Sequence, residues 1–216
     1  LGQRLNTWLS SQTSSGIVYE IDTRLRPNGE SGMLAISLDG FRDYEEKSAW
    51  VWEHQALTRA RFVAGDKTLG ERFEQMRRDI LCKPRDNEGL RQEVIAMRQK
   101  MFDAHGAAEA GVFDLKQDPG GIIDVEFIVQ FLILAHAHRY PDLTDNLGNI
   151  ALLRRSAEHG LIDPALSDAA QAAYREYRRL QHANRLNDEP KARLLITADL
   201  QSHIDAVLLL KQRVFG

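Results

Sequence analysis

Cysteine is almost missing from this chain. Cys82 is the one cysteine among 216 residues. An internal disulfide and a cysteine-built zinc site are therefore excluded, and the composition fits a reducing, cytoplasmic setting. Long apolar runs are missing too. No stretch reaches the roughly 18 apolar residues expected of a membrane-crossing helix, so no membrane partner is expected. Neither sign of charge dominates: 28 Lys and Arg stand against 31 Asp and Glu, a formal net charge of -3. The isoelectric point is near 6.2. A general nucleic-acid binder would carry a basic excess, so nucleic acid is not an expected partner. Proline is sparse, at six residues, and there is no low-complexity tract or internal repeat. The first ten residues are amphipathic and do not read as a secretory leader. The chain opens on Leu1, not Met, and is read as a piece of a longer protein or a processed product.

What is present is helical periodicity. The chain is 43% hydrophobic and 27% charged, ordinary for a globular protein, and long enough for one large domain or two small ones. Leu5, Trp8 and Leu9 share one face of a helix end in residues 1–10. A polar linker follows to Gly16. Further helices are expected over 41–63 (one or two), 69–82, 88–105, 122–140, 146–159, 164–187 and 198–215. Pro84, Pro141 and Gly160 act as stops, and Pro164 as a start. Residues 106–121 read as a loop.

One segment alternates instead. In residues 16–26, Ile17, Tyr19, Ile21, Thr23 and Leu25 point one way, while Val18, Glu20, Asp22, Arg24 and Arg26 point the other. This is the clearest strand pattern in the sequence. Pro27-Asn28-Gly29 is turn chemistry, and residues 33–37 form a possible short return strand. Beyond Leu38 no further strand is expected. The expected fold is mainly α: a helical bundle over 63–216, preceded in 1–62 by a short β element and a linking helix. A two-stranded hairpin is not stable alone, so the β element either packs on the helices or is the edge of a larger sheet.

Glu20 and Asp22 share a strand face. Paired carboxylates suit a hard divalent cation such as Mg²⁺, with Asp22 as the metal ligand, and the forks of Arg24 and Arg26 suit phosphate oxygens. Together they read as one wall of a metal-nucleotide site. The competing reading is a solvated strand face with ion pairs along it.

Three runs carry a family resemblance: YEIDTRLRPNGESGML at 19–34, WVWEHQALTRAR at 50–61, and FDLKQDPGGIIDVEFIVQ at 113–130. Their order and content resemble the glutamate-ammonia-ligase (glutamine synthetase) adenylyltransferases, and weaker similarity runs to near the C-terminus. The resemblance implies a bifunctional enzyme with two nucleotidyltransferase-like halves. One adds AMP from ATP to a tyrosine of glutamine synthetase; the other removes it by phosphorolysis. This chain resembles the adding, C-terminal half. The implied catalytic fold is a palm similar to that of DNA polymerase beta, and the β element becomes its edge. Asp22 matches the third palm carboxylate, which activates the attacking hydroxyl. Arg24, Arg26 and Lys116 fall in the motifs as nucleotide contacts. Mg²⁺, ATP, glutamine synthetase, the PII signalling protein and glutamine as effector follow as cofactor, substrate and partners. The palm's first motif, Gly-Ser followed by an Asp-x-Asp pair, occurs nowhere in these 216 residues. By this reading the fragment alone is inactive. Two alternatives stay open: a helical module that docks glutamine synthetase, PII or glutamine, and a related PII uridylyltransferase.

Other residues have structural readings beside the functional ones. Trp50 to Arg61 read as one helix in which Arg59 or Arg61 reaches phosphate, or as core tryptophans with locally paired arginines. Asp124 and Glu126, two apart on the apolar helix from Ile122, face roughly opposite ways and cannot easily share a metal. Asp124 can serve as a first-turn acid. Glu126 needs a partner such as Lys116 or an arginine, and shares a face with Gln130. Gly120-Gly121 can seat an anion or simply make a tight turn. His136 and His138 point apart and read as surface histidines. The basic face of residues 174–182 reads as solvated.

Overall fold

The structure is a computed structural model that describes residues 2–14, 16, 21–106, 109–186 and 193–216. Among the described residues there are nine α-helices: α1 (Gly2–Ser10), α2 (Leu38–Lys47), α3 (Val51–Leu57), α4 (Lys67–Leu81), α5 (Asn87–His105), α6 (Ile122–His136), α7 (Asn149–Glu158), α8 (Pro164–Leu186) and α9 (Ala198–Phe215). Two short strands, β1 (Val112–Asp114) and β2 (Arg193–Leu195), complete the fold.

The helix starts follow from local chemistry. The side chains of Ser37, Asp66, Asp86 and Thr197 accept N–H bonds from the first turns of α2, α4, α5 and α9. They satisfy donors that no preceding turn can reach. At α3 the Glu53 carboxylate reaches back to the Trp50 N–H at 2.9 Å. α6 is apolar on nearly every side, and it is the central element. Val125, Ile128, Leu134 and Ala135 are completely enclosed, and the helix contacts α3, α5, α7, α8 and α9. α8 packs between α7 and α9. α2 and α3 rest on α4, α5 and α6, and Leu57 joins the same core as Leu81, Leu153 and Leu210.

Several expectations need correction. Residues 21–26 are not a strand; residues 17–20, including Glu20, lie outside the described residues. The reason is local. The Asp22 carboxylate takes the Arg24 N–H at 2.9 Å, and the Arg26 guanidinium bonds the carbonyls of Thr23, Glu30 and Gly32. The segment curls round its own side chains, and backbone turns at Arg26 and Gly29 close it. Residues 33–37 are not a return strand either; they lead into the Ser37 cap.

Strand does occur beyond Leu38. β1 and β2 pair antiparallel, with Val112 opposite Leu195, Phe113 opposite Leu194 and Asp114 opposite Arg193. Three residues are too few to establish a period-two pattern in sequence. Arg59 and Arg61 lie past the end of α3, and Trp50 and Trp52 are exposed, so the single helix and the core tryptophans are both set aside. α6 stops at His136, and a 3-10 turn at Pro141–Thr144 occupies the approach to α7.

Candidate functional site

The residues singled out in sequence fall into three places. The first is the curled segment after Ile21. Asp22 and Arg24 are exposed and form a fork: Nε to Oδ1 at 3.0 Å and Nη2 to Oδ2 at 2.7 Å. That hydrogen bonding holds the Asp22 carboxyl at a pKa of about 2, well below the usual range. Both carboxylate oxygens are thereby occupied. Among the described residues, no group of three or more His, Cys, Asp or Glu is placed to hold a metal ion. A Mg²⁺ ion demands several oxygen ligands in near-octahedral array. Asp22 with its described neighbours does not by itself fit one. Of the two histidines expected at the surface, one is exposed and the other is not. His136 is half-buried and depressed in pKa mainly by burial, while His138 is exposed.

The second place lies between α3 and the segment. Leu25, Arg26, Pro27, Phe41, Trp52 and Arg59 help to line a groove of about 250 Å³. Beneath it sits a polar cluster that sequence reasoning missed. Glu45 is buried, and desolvation pushes its carboxyl to a pKa of about 7, with Glu53 adding to the rise. His54 is also buried; its Nε2 lies 2.9 Å from the Glu45 carbonyl, and its Nδ1 lies 3.1 Å from Arg85 Nη1. A neutral ring fits both contacts, with Nε2–H donating to the carbonyl and Nδ1 accepting from Arg85. Burial lowers the His54 pKa accordingly, and the charge of Arg85 adds to the effect. A histidine nine residues after a glutamate across a helix break gives no periodic signal.

The third place is the first half of α6, where Asp124 and Glu126 separate as their spacing requires. Asp124 is fully buried. Its Oδ1 meets Arg98 Nε at 2.5 Å, and its Oδ2 meets Lys211 Nζ at 3.0 Å and the Gly120 N–H at 2.7 Å. Glu126 faces the other way, to Arg59 Nη1 at 3.2 Å and the Tyr174 hydroxyl at 3.3 Å. Its partner is therefore an arginine and not Lys116, which is exposed and whose backbone N–H donates to Asp114. Gln130, on the same face as Glu126, accepts from Gln55 Nε2 at 2.9 Å.

Gly120-Gly121 is a tight turn and not an anion seat. The Ile122 and Ile123 N–H groups already donate to the Leu115 and Lys116 carbonyls. A Cβ on Gly121 would stand 2.7 Å from the Leu115 oxygen. The structure thus joins Asp22 to Arg24 and Arg59 to Glu126. It leaves Asp124 and Lys116 apart from both pairs.

Comparison with known proteins resolves what this arrangement belongs to. Residues 1–76 match the family model described as glutamate-ammonia ligase adenylyltransferase. Residues 90–211 match the model described as GlnD PII-uridylyltransferase. The chain is similar to a bifunctional glutamine synthetase adenylyltransferase/adenylyl-removing enzyme of Aromatoleum aromaticum, 61% identical over 87% of this chain and 20% of that protein. It is similar to one of Chromobacterium violaceum, 60% identical over 87% of this chain and 21% of that protein. The enzyme of the same name from Neisseria meningitidis serogroup B is 49% identical over 100% of this chain and 24% of its own length.

The chain belongs to the glutamate-ammonia ligase adenylyltransferase family.

It spans between a fifth and a quarter of the length of these relatives. The segment with Asp22 and Arg24, and Arg59 with it, falls inside the adenylyltransferase match. Asp124, Glu126 and Lys116 fall inside the uridylyltransferase match, with the central helix α6. In this family member the exposed acid-arginine fork and the buried bundle ion pairs thus sit in differently matched parts. No helix among the described residues is long and apolar enough to cross a membrane.

Proposed function

We propose that this chain is part of the C-terminal, adenylylating half of a bifunctional enzyme that transfers AMP from ATP to a tyrosine of glutamine synthetase. The observation that carries the reading is identity of 49% across all 216 residues with a relative of that name. Residues 1–62 would be the remnant of a polymerase-beta-like palm with its linking helix, and 63–216 the helical bundle that backs it. PII protein, and glutamine as effector, are the regulatory partners, and the setting is the cytoplasm.

In this reading Asp22 and Arg24 would have distinct roles. A carboxyl at a pKa of about 2 is permanently ionised at neutral pH and is a weak base. Arg24 is the group that keeps it so. Triphosphate oxygens suit the same guanidinium fork, so ATP would draw Arg24 off the carboxylate. Asp22 would then regain ordinary basicity next to the attacking tyrosine hydroxyl. Arg26, bonded to three backbone carbonyls, keeps the segment curled, and Lys116 would meet phosphate from the α6 side. When bound, Mg²⁺ supplies charge neutralisation at the phosphates; residues beyond those described here must provide most of its ligands.

The experiment uses the full-length enzyme with labelled ATP and glutamine synthetase. Asp22→Asn and Arg24→Ala should each reduce label transfer to background while the circular dichroism spectrum is unchanged. Full transfer by Asp22→Asn would overturn the assignment. This chain alone, under the same conditions, should transfer none.

A further inference from the structure

We propose that the cleft between the end of α3, the face of α6 and the start of α7 is a binding site for a small molecule bearing an oxyanion, a carboxylate or a phosphate. The cleft encloses about 470 Å³, within the range of small-ligand sites. Arg59, Arg61, Gln130, Asn149 and Tyr174 converge on it over an apolar floor that includes Val129 and Ile133. A few polar groups set on an apolar wall give a ligand both orientation and burial.

The charge balance points to an anion. The acids around the rim are already answered: Glu126 by Arg59 and Tyr174, Glu74 by Arg77, and Asp145 by Arg155 and Arg78. Arg61 has no ion-pair or hydrogen-bond partner among the described residues, yet it lines the cleft. Arg59 spends one guanidinium nitrogen on Glu126 and has others to offer. Tyr174 is oriented by the Asn149 amide at 2.9 Å, so its ring and hydroxyl are held in place as part of the wall.

The start of α7 adds to this. Gly148 supplies no side-chain cap, there is no acid in the first turn, and open space surrounds Gly148. The N–H groups of Asn149, Ile150 and Ala151 have no partners among the described residues. An oxyanion at that point would meet these donors together with Arg61.

The test is isothermal titration calorimetry of the chain at low ionic strength, with inorganic phosphate and malonate as separate probes and chloride as the control. Saturable one-to-one binding of phosphate or malonate, and not of chloride, is expected. Whichever probe binds names the oxyanion class. Arg61→Gln and Asn149→Asp should each weaken it at least tenfold, whereas Arg185→Gln, at the far end of α8, should not. Arg61 is exposed and has no bond among the described residues to lose, so Arg61→Gln should keep the wild-type melting temperature, and it decides the case if Asn149→Asp, which gives up the bond to Tyr174, lowers stability. No saturable heat from either probe would overturn the proposal, as would equal binding by wild type, Arg61→Gln and Asn149→Asp.

Discussion

Arg98 and Asp124 meet at 2.5 Å inside the bundle, with side-chain exposures of 6% and 0%. The guanidinium also donates to the Gln117 carbonyl at 2.7 Å, and Lys211 closes the far side of the carboxylate. One acid thereby ties α5, α6, α9 and the turn before α6. Removing one partner of such a pair leaves an uncompensated buried charge, at a cost of about 3–5 kcal/mol. Asp124→Asn should lower unfolding free energy by about that amount in urea titration. A loss under about 1 kcal/mol would show that the cations relax outward to solvent.

Glu45 makes stability depend on pH with an unusual sign for a carboxylate. Its folded pKa, about 7, lies above the unfolded value near 4.5. Between those values the folded state holds the extra proton, so its contribution is full below pH 4.5 and declines as pH rises to 7. Glu45→Gln mimics the protonated form. Relative to that variant, wild type should lose melting temperature steadily from pH 4.5 to 7 and then level off. A flat difference between the two curves would refute the assignment. His54 beside it titrates with the opposite sense, and referencing to Glu45→Gln largely subtracts that contribution.

The Asp22–Arg24 fork is exposed to water, so its consequence is chemical and not structural. Arg24→Ala should return the Asp22 pKa from about 2 toward the ordinary value of about 3.9, read by carbon-13 carboxyl titration. The melting temperature should not move. A carboxyl that stays near 2 without Arg24 would mean that the backbone N–H is sufficient to hold it.

Tyr177 is wholly enclosed, and its hydroxyl has no hydrogen-bond partner among the described residues. A buried hydroxyl in that position contributes only its desolvation cost. Tyr177→Phe should therefore be neutral or stabilising by about 1 kcal/mol, measured by chemical denaturation. The ring must stay, since it packs on Phe113 at 5.9 Å and holds β1 to the bundle. A loss of more than about 1 kcal/mol would reveal a bridging water.

How much of this was legible in sequence follows from the range of each interaction. Helices were readable because their signals are local: Pro84 after α4, Gly160 after α7, Pro164 at the start of α8, and the all-apolar run of α6. The opposed facing of Asp124 and Glu126 followed from helical geometry alone. The strand at residues 21–26 was misread because alternation is also compatible with a segment whose side chains bond its own backbone, as Asp22 and Arg26 do. Arg59 with Glu126, His54 with Arg85 and the whole α7 cleft join residues far apart in the chain. No spacing rule reaches across such distances. The family resemblance named Asp22 and Arg24 together, but it said nothing of the bond between them.

The two three-residue strands have a consequence for how the molecule assembles. Pairing Phe113 with Leu194 closes a loop that contains α6, α7 and α8, since β1 precedes the first and β2 follows the last. The entropy of closing so long a loop is recovered only when the enclosed helices are already packed. The ladder is thus expected to form after the helix pairs and to be a late step in folding. Its amide protons would then be among the earliest in the bundle to exchange under native conditions, ahead of those of α6.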